Sequence, residues 1–357
     1  MTRRNFLLST AALAAPAAGA AQIRLGFDSY SIRAFKWKAI QLLDYTASKR
    51  LDAIQLSSLD DYESFEPAYL QKVKDHAARL GISIDGGIGC VCPTANQWSN
   101  RNGSPEDYIL KGLRIAKAVG ASSMRCFLGN SNDRTVNGPI EKHMERTIAV
   151  FRSVRARALD TGVRIALENH SGDMQAREVR TIIEESGKDA VGSCLDTGNP
   201  MPVMEDPQVT LEILGPYVIT THIRDSAVFE HPRGAAYQWV ALGDGSVDFK
   251  RFVARYRELC PNAAMQLEII TGRPPQVVPY FEAGHWKAFQ NANAAEFARF
   301  VALARNGHPF MGTMVIAGTA KQPAQIEAAL QEQQRTDLER SFEYAKKQLD
   351  VGLRWKA

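Results

Sequence analysis

The feature that most constrains this chain is a unit that recurs eight times: a short β-branched or apolar run, a loop, then an amphipathic stretch. The runs lie at 23–29, 53–57, 83–88, 122–128, 164–168, 190–195, 218–222 and 264–268. Helical patterns at 39–49, 67–80, 105–119, 140–161, 176–186, 207–214 and 249–259 separate them, and two more follow at 297–305 and 323–349. Strand then helix, eight times over, predicts an all-parallel closed α/β barrel, the (β/α)8 TIM barrel, ending in a C-terminal helix. The rival is an open doubly wound sheet, and no G-x-G-x-x-G phrase follows the first run to support it. Boundary residues agree with the barrel. Gly81, Gly120 and Gly162 stand just past helical stretches, where a left-handed residue is needed, and Ser104-Pro105 reads as an N-cap followed by proline in the first turn.

With 357 residues, 45% of them hydrophobic, the chain can bury one large core or two smaller ones, and the repeated unit assigns 21–357 to a single domain. The net charge of +4 comes from mixed signs without a basic tract, which argues against nucleic acid as a partner. Five cysteines (Cys90, Cys92, Cys126, Cys194, Cys260) are too scattered for a disulfide framework and read as free thiols behaving as small hydrophobes. The N-terminus carries Arg3-Arg4, an apolar run from Leu7 to Ala18 and the small residues Ala18-Gly19-Ala20. This is the layout of a signal peptide over 1–20, and the paired arginines resemble a twin-arginine leader. A retained membrane anchor is the competing reading, but the run is well short of the roughly 20 residues that span a bilayer. The expectation is a periplasmic or secreted protein with no stable membrane anchor after cleavage. Export in the folded state suits a protein that acquires a metal first, because ligand geometry exists only once the chain has folded.

Two connections are longer than a barrel needs: 225–247, and a probable insertion or lid at 270–317 that contains Pro274-Pro275, Phe281, His285, Trp286 and Phe289. Both follow strands, so both belong on the C-terminal face of a barrel, where long loops are usually functional. A packing insert or a contact between copies in a homo-oligomer is an equal reading.

The chemistry is marked by position. Glu168 ends the fifth run, Asp196 follows the sixth, His222 ends the seventh and Glu268 the eighth. Alone, a carboxylate at a strand end is usually solvated or capping, and a lone histidine there is usually structural. Four in succession are harder to explain that way. Neighbouring strands lie about 4.8 Å apart, so four adjacent strand ends can converge on one ion. Three carboxylates and an imidazole make a hard, oxygen-rich set suited to one divalent metal, manganese first, with magnesium, cobalt or zinc as alternatives.

These residues and their surroundings resemble the sugar isomerase and epimerase superfamily of xylose-isomerase-like TIM barrels, including D-tagatose 3-epimerase-type enzymes and inosose isomerases and dehydratases. The resemblance is carried by Leu167-Glu168-Asn169-His170, by His222-Ile223-Arg224-Asp225, and by Leu242-Gly243-Asp244-Gly245-Ser246-Val247-Asp248-Phe249, and it covers roughly 23–268. It implies that Glu168, Asp196, His222 and Glu268 hold the metal. It also implies that Glu168 and Glu268 act as the catalytic pair, one removing a proton beside a carbonyl and the other returning it. His170 and Arg224 share a strand side with Glu168 and His222 and are candidates for substrate contact. For each, a packing or ion-pairing role competes. Asn199, which stands where ketose 3-epimerases commonly have a histidine, and Trp286 are further substrate-binding candidates.

The expected function is a metal-dependent sugar isomerase or epimerase acting on a keto sugar or cyclitol. The alternative is a lyase or dehydratase on 3-keto sugars or 3-keto glycosides. A non-catalytic sugar-binding protein is less well supported, since both glutamates are present. The superfamily's multi-zinc endonuclease branch needs more strand-end histidines than a chain with seven in all, and with Asn199 in place of one, supplies.

Overall fold

Residues 22–318 and 322–356 are described by the computed structural model, so the leader expected over 1–20 lies outside the described residues. The chain forms β1 (Leu25–Asp28), β2 (Ala53–Leu56), β3 (Ser83–Cys90), β4 (Ser123–Phe127), β5 (Arg164–Glu168), β6 (Val191–Asp196), β7 (Val218–His222), β8 (Asp225–His231), β9 (Gly234–Val240), β10 (Met265–Leu267) and β11 (Gln276–Val278). Eight of these, β1 to β7 and β10, are the eight expected runs. They pair in parallel in the order β10-β1-β2-β3-β4-β5-β6-β7. The ring is nearly closed by a single parallel bridge between Ile223 and Leu267, where Ile223 N–H donates to the Gln266 carbonyl (2.8 Å) and Glu268 N–H to the Ile223 carbonyl (3.0 Å). This is the (β/α)8 barrel.

Helices α1 (Ala39–Ser48), α2 (Pro67–Leu80), α3 (Pro105–Ala118), the single turn α4 (Asn132–Thr135), α5 (Ile140–Thr161), α6 (Ala176–Ser186), α7 (Pro207–Leu214) and α8 (Phe249–Leu259) connect the strands. Their apolar residues recur at helical spacing and face the sheet. In α6, Val179, Ile182 and Ile183 are fully buried. Burying each contributes about 1.5–3 kcal/mol. The ends follow local chemistry. Ser104 accepts from Asp107 N–H and caps α3, and Gly81 (φ 66°) and Gly162 (φ 72°) turn the chain out of α2 and α5. The barrel interior is partly polar. The Thr220 hydroxyl lies 2.9 Å from Gln55 Oε1 and 3.0 Å from Asp85 Oδ2, and Gln266 Nε2 donates to Asp85 Oδ2 (3.0 Å). All five cysteines are free and buried. Among the described residues no helix is long and apolar enough to cross a membrane.

The two long connections are not open loops. Residues 225–240 fold back as the β8–β9 hairpin, and β11 from the later insertion adds antiparallel to β9. The same insertion supplies α9 (Ala294–Asn306), anchored by the fully buried Phe300. The C-terminal helix α10 (Ala324–Leu349) seats Phe342 edge-on against Phe27, with centroids 5.8 Å apart. The Asp52 carboxylate, which accepts from Leu25 N–H, also accepts from Leu353 and Arg354 N–H and ties the chain end to β1.

Candidate metal centre

Glu168, Asp196, His222 and Glu268 meet at the C-terminal rim of the barrel, all four buried, with candidate ligand atoms within 4.8 Å of one another. His222 presents Nδ1 to the carboxylates, 3.2 Å from Glu168 Oε1, 3.5 Å from Glu268 Oε2 and 3.9 Å from Asp196 Oδ2. Asp196 divides its oxygens. Oδ1 accepts the N–H groups of Gly198 (2.6 Å) and Asn199 (2.7 Å), which leaves Oδ2 facing the cluster.

Two buried arginines brace this group. Arg125, inside β4, donates from Nε to Glu168 Oε2 and from Nη1 to the Ile88 carbonyl (3.3 Å). Arg224 reaches Glu268 Oε2 through Nη1, and Asp196 Oδ2 and Asn199 Oδ1 through Nη2, the last at 2.9 Å. Its guanidinium lies 4.3 Å from the centroid of Trp239, whose indole N–H donates to the Gly198 carbonyl (3.0 Å). A Cβ on Gly198 would sit 2.2 Å from Arg224 Nε, so this position has room only for glycine. The glycine-rich phrase at 242–247 has a related task. The N–H groups of Gly243 and Gly245 (both 3.0 Å) close on the Asp225 carboxylate and hold the strand end that carries Arg224.

The donor set fits a divalent cation. Asp28, ending β1, brings a fourth carboxylate, with Oδ2 3.3 Å from His222 Nε2 and no hydrogen-bond partner of its own. His222 Nε2 also lies 2.8 Å from the Gln55 side-chain nitrogen, and because a metal on Nδ1 requires the imidazole proton on Nε2, uptake would turn Nε2 from a partner of the Gln55 amide into a donor toward Asp28 Oδ2. With His222 neutral, four carboxylates face two guanidinium groups, and a divalent ion balances the excess. Protons do so in its place. Burial, the largest influence, pushes Asp196 up to about 8 against the pull of Arg224. Burial would depress His222, but its interactions with the Cys194 thiol and with the carboxylates of Glu268, Glu168 and Asp28 outweigh it and raise the imidazole well above its usual range. Burial would also raise Glu168, but Arg125 and His222 hold it well below the ordinary carboxylate value. Metal uptake must therefore displace protons. Calorimetry of Mn2+ binding in two buffers of different ionisation enthalpy should show release of about two protons near neutral pH, with apparent affinity rising as the pH climbs to about 8. Uptake at pH 7 with no proton release would contradict this arrangement.

A cavity of about 410 Å3 opens above the cluster, walled by residues that include Tyr108, Phe127, His170, Asn199, Arg224, Trp239, Glu268 and Arg273. His170 stacks on Phe127 (centroids 3.9 Å apart) and donates from Nδ1 to the Gly129 carbonyl (2.6 Å). Burial pushes it down to about 4, so it stands neutral with Nε2 as an acceptor. Asn199 bridges the centre, donating to Glu168 Oε1 (3.2 Å) and accepting from Arg224. Arg224 lines the cavity, but its guanidinium is engaged with two of the acidic residues. Trp286 is not among the cavity's lining residues: its indole donates to the Tyr280 carbonyl (2.8 Å) and packs edge-on against Phe297. The two glutamates differ. Glu268 lines the cavity, and no hydrogen bond among the described residues reaches its Oε1. Glu168 is fully buried, and Arg125, Asn199 and His222 engage both of its oxygens.

Asp28, Gln55, Arg125, Trp239 and Arg273 were not singled out by sequence. Asp28 obeys the same strand-end rule as the four ligands. Arg125 is the one charge in the apolar run Met124-Arg125-Cys126-Phe127, and a charge in such a run is a signal of a buried partner.

Comparison with known proteins agrees with this architecture. A 3-oxo-isoapionate decarboxylase from Pectobacterium atrosepticum is 23% identical over 250 residues, 67% of this chain and 81% of that protein. A D-psicose 3-epimerase crystal structure in the presence of D-fructose superposes with a TM-score of 0.58 at 14% identity, over 91% of this chain and 98% of that one. The IOLI protein with a bound zinc atom gives 0.52 at 16% identity, over 79% and 99%. At these identities the structural likeness shows the fold alone. Residues 38–278 match the family described as xylose isomerase-like TIM barrel, the greater part of the chain. With its eight-stranded barrel and strand-end cluster, the chain belongs to that family.

Proposed function

We propose that this protein is a metal-dependent enzyme that acts on a small keto sugar or cyclitol by moving a proton at the carbon beside the carbonyl. The observation that carries the reading is the convergence of Glu168, Asp196, His222 and Glu268 beneath a cavity that reaches Glu268. A bound divalent ion would supply the Lewis acid for such chemistry, drawing negative charge onto the carbonyl oxygen. The chain's own groups supply the rest. Glu268 takes the proton on Oε1 and returns it, while Arg224 fixes its other oxygen. Neutral His170 accepts from a substrate hydroxyl. Phe127 and Trp239 supply apolar wall to the cavity. Manganese is the proposed ion. Export through the leader at 1–20 is part of the proposal, with the substrate met outside the cytoplasm.

Moving a proton on one face, as isomerisation does, needs one such carboxylate. Epimerisation needs one on each face. The engagement of both Glu168 oxygens favours the one-face reaction. It also favours a second reading, a lyase acting on a 3-keto sugar, a 3-keto glycoside or a 3-oxo sugar acid. In decarboxylation the carbon–carbon bond to the carboxylate breaks, its electron pair passes into the neighbouring carbonyl, carbon dioxide leaves, and the carbon takes up one proton. Similarity to a 3-oxo-isoapionate decarboxylase supports that reading.

The test is NMR of the metal-loaded protein in heavy water with a panel of keto sugars, 3-keto glycosides and 3-oxo sugar acids. Deuterium entering one carbon, with an isomeric product, is the expected result. Release of carbon dioxide or an elimination product selects the lyase reading. An epimer at the exchanging carbon would mean that Glu168 serves as a second base. No exchange and no product with any of the four candidate metals would end the enzymatic proposal.

A further inference from the structure

We propose that the outer part of the cleft selects a substrate bearing an anionic oxyacid group, a carboxylate or a phosphate, and that Arg273 and Arg101 read it. The proposal rests on the cleft above the metal centre being the substrate site. Four arginines line that cleft (Arg101, Arg125, Arg224 and Arg273) against one carboxylate, Glu268. The inner two are committed, Arg125 to Glu168 and Arg224 to Asp196 and Glu268. With a divalent ion in place, four carboxylates, two guanidinium groups and the ion sum to zero, so the inner cluster has no charge left to offset the outer pair.

The outer pair is nearly unpartnered. Arg273 makes no ion pair among the described residues. Its guanidinium lies 5.1 Å from the centroid of Trp239, the indole that also carries Arg224. That ring is pinned by its bond to the Gly198 carbonyl, so it forms a fixed shelf for Arg273 at the cleft wall. The nearest acid to Arg101 is Asp60 at 3.9 Å, both exposed, a pairing worth little.

A third group points the same way. Tyr108 is 7% exposed, and its hydroxyl accepts the Gly89 N–H at 2.8 Å. The hydroxyl's own proton has no acceptor among the described residues, and Tyr108 lines the cleft. In the cleft that donor is available to a ligand oxygen. A neutral sugar offers hydroxyls to this donor but nothing to balance two guanidinium groups. An oxyanion answers both through charge-assisted hydrogen bonds.

The test is calorimetry on the full metal-loaded protein with three ligands of similar size that carry no ketone or aldehyde: D-gluconate, D-glucitol 6-phosphate and neutral D-glucitol. One of the anions is expected to bind about tenfold or more tightly than glucitol, with an affinity that falls as salt rises. Which anion binds better separates carboxylate from phosphate. Arg273→Gln should bring the preferred anion close to the glucitol value with metal content unchanged. Tyr108→Phe should cost a smaller factor, about threefold to tenfold. Equal binding of all three ligands, no binding of any, or a preference that survives Arg273→Gln would each overturn the proposal. The readout is independent of turnover. Anion preference without exchange on any sugar would fail the proposed function alone, whereas exchange on neutral keto sugars without anion preference would fail this inference alone.

Discussion

Glu268→Gln should lower turnover by about 10³-fold at saturating metal while leaving the barrel folded. The side chain keeps its size and one oxygen. It loses the anionic Oε1 that faces the cleft and the charge that Arg224 holds through Oε2. Metal affinity falls as well, since an amide oxygen is a weaker ligand, so turnover must be read against a metal titration. Glu168→Gln is the informative partner. Its oxygens are engaged by Arg125, Asn199 and His222, so its first loss is metal affinity. At saturating metal it should retain at least about tenfold more turnover than Glu268→Gln. Equal losses would restore the two-base mechanism that the resemblance implies for both glutamates. Full activity in Glu268→Gln would remove Glu268 from the chemistry altogether.

The difference between these glutamates shows where sequence reading stops. Both end apolar runs, and period-two alternation turns both inward, so their convergence was legible from the chain alone. What separates them is Arg125, on the preceding strand and 43 residues earlier in sequence, whose side chain reaches Glu168 diagonally across the β4–β5 pairing, where Arg125 faces Ala166 and Phe127 faces Glu168. Nothing local says that a charge in that run is satisfied by the next strand. Asp28 was missed for a similar reason. It ends the first strand, and only ring closure brings β1 beside β10 and His222. Trp239 and Arg273 lie in long connections whose order comes from a hairpin and an added third strand, pairings set by tertiary packing. The turn signal was present in Pro232-Arg233-Gly234 between two strand-like runs. Trp286 drew attention as an aromatic in an insertion, and its partners are the Tyr280 carbonyl and Phe297, which only the folded insertion brings together. Arg224 was legible as inward-facing. Whether it would meet substrate or a neighbouring acid depended on β6 and β10 supplying Asp196 and Glu268 within reach.

Above about pH 8, where Asp196 is ionised, Arg224→Met should destabilise the metal-free protein by about 3–5 kcal/mol, because it strips the shared counter-charge from two buried carboxylates. For a domain of this size that corresponds to a fall in Tm on the order of 5–10 °C in the presence of a chelator. Adding Mn2+ should recover much of the loss, since the ion replaces the missing positive charge and ligand binding stabilises by mass action, about 4 kcal/mol at 1,000 times Kd. Acidic pH should also narrow the gap. Asp196, already pushed up to about 8 by burial with Arg224 opposing, takes a proton more readily once the guanidinium is gone, so the deficit grows as pH rises. Paired melts of the variant and the parent with chelator and with Mn2+ check each step, and a variant as stable as its parent in chelator would show that Arg224 is not the charge that holds the empty centre together. Gly198→Ala separates charge from placement. Its Cβ would lie 2.2 Å from Arg224 Nε and 2.7 Å from Cγ and Cδ, so the side chain must leave its seat between Asp196 and Glu268 while keeping its charge. If position matters, Gly198→Ala should lose turnover comparably to Arg224→Met. If charge alone matters, it should stay near the parent.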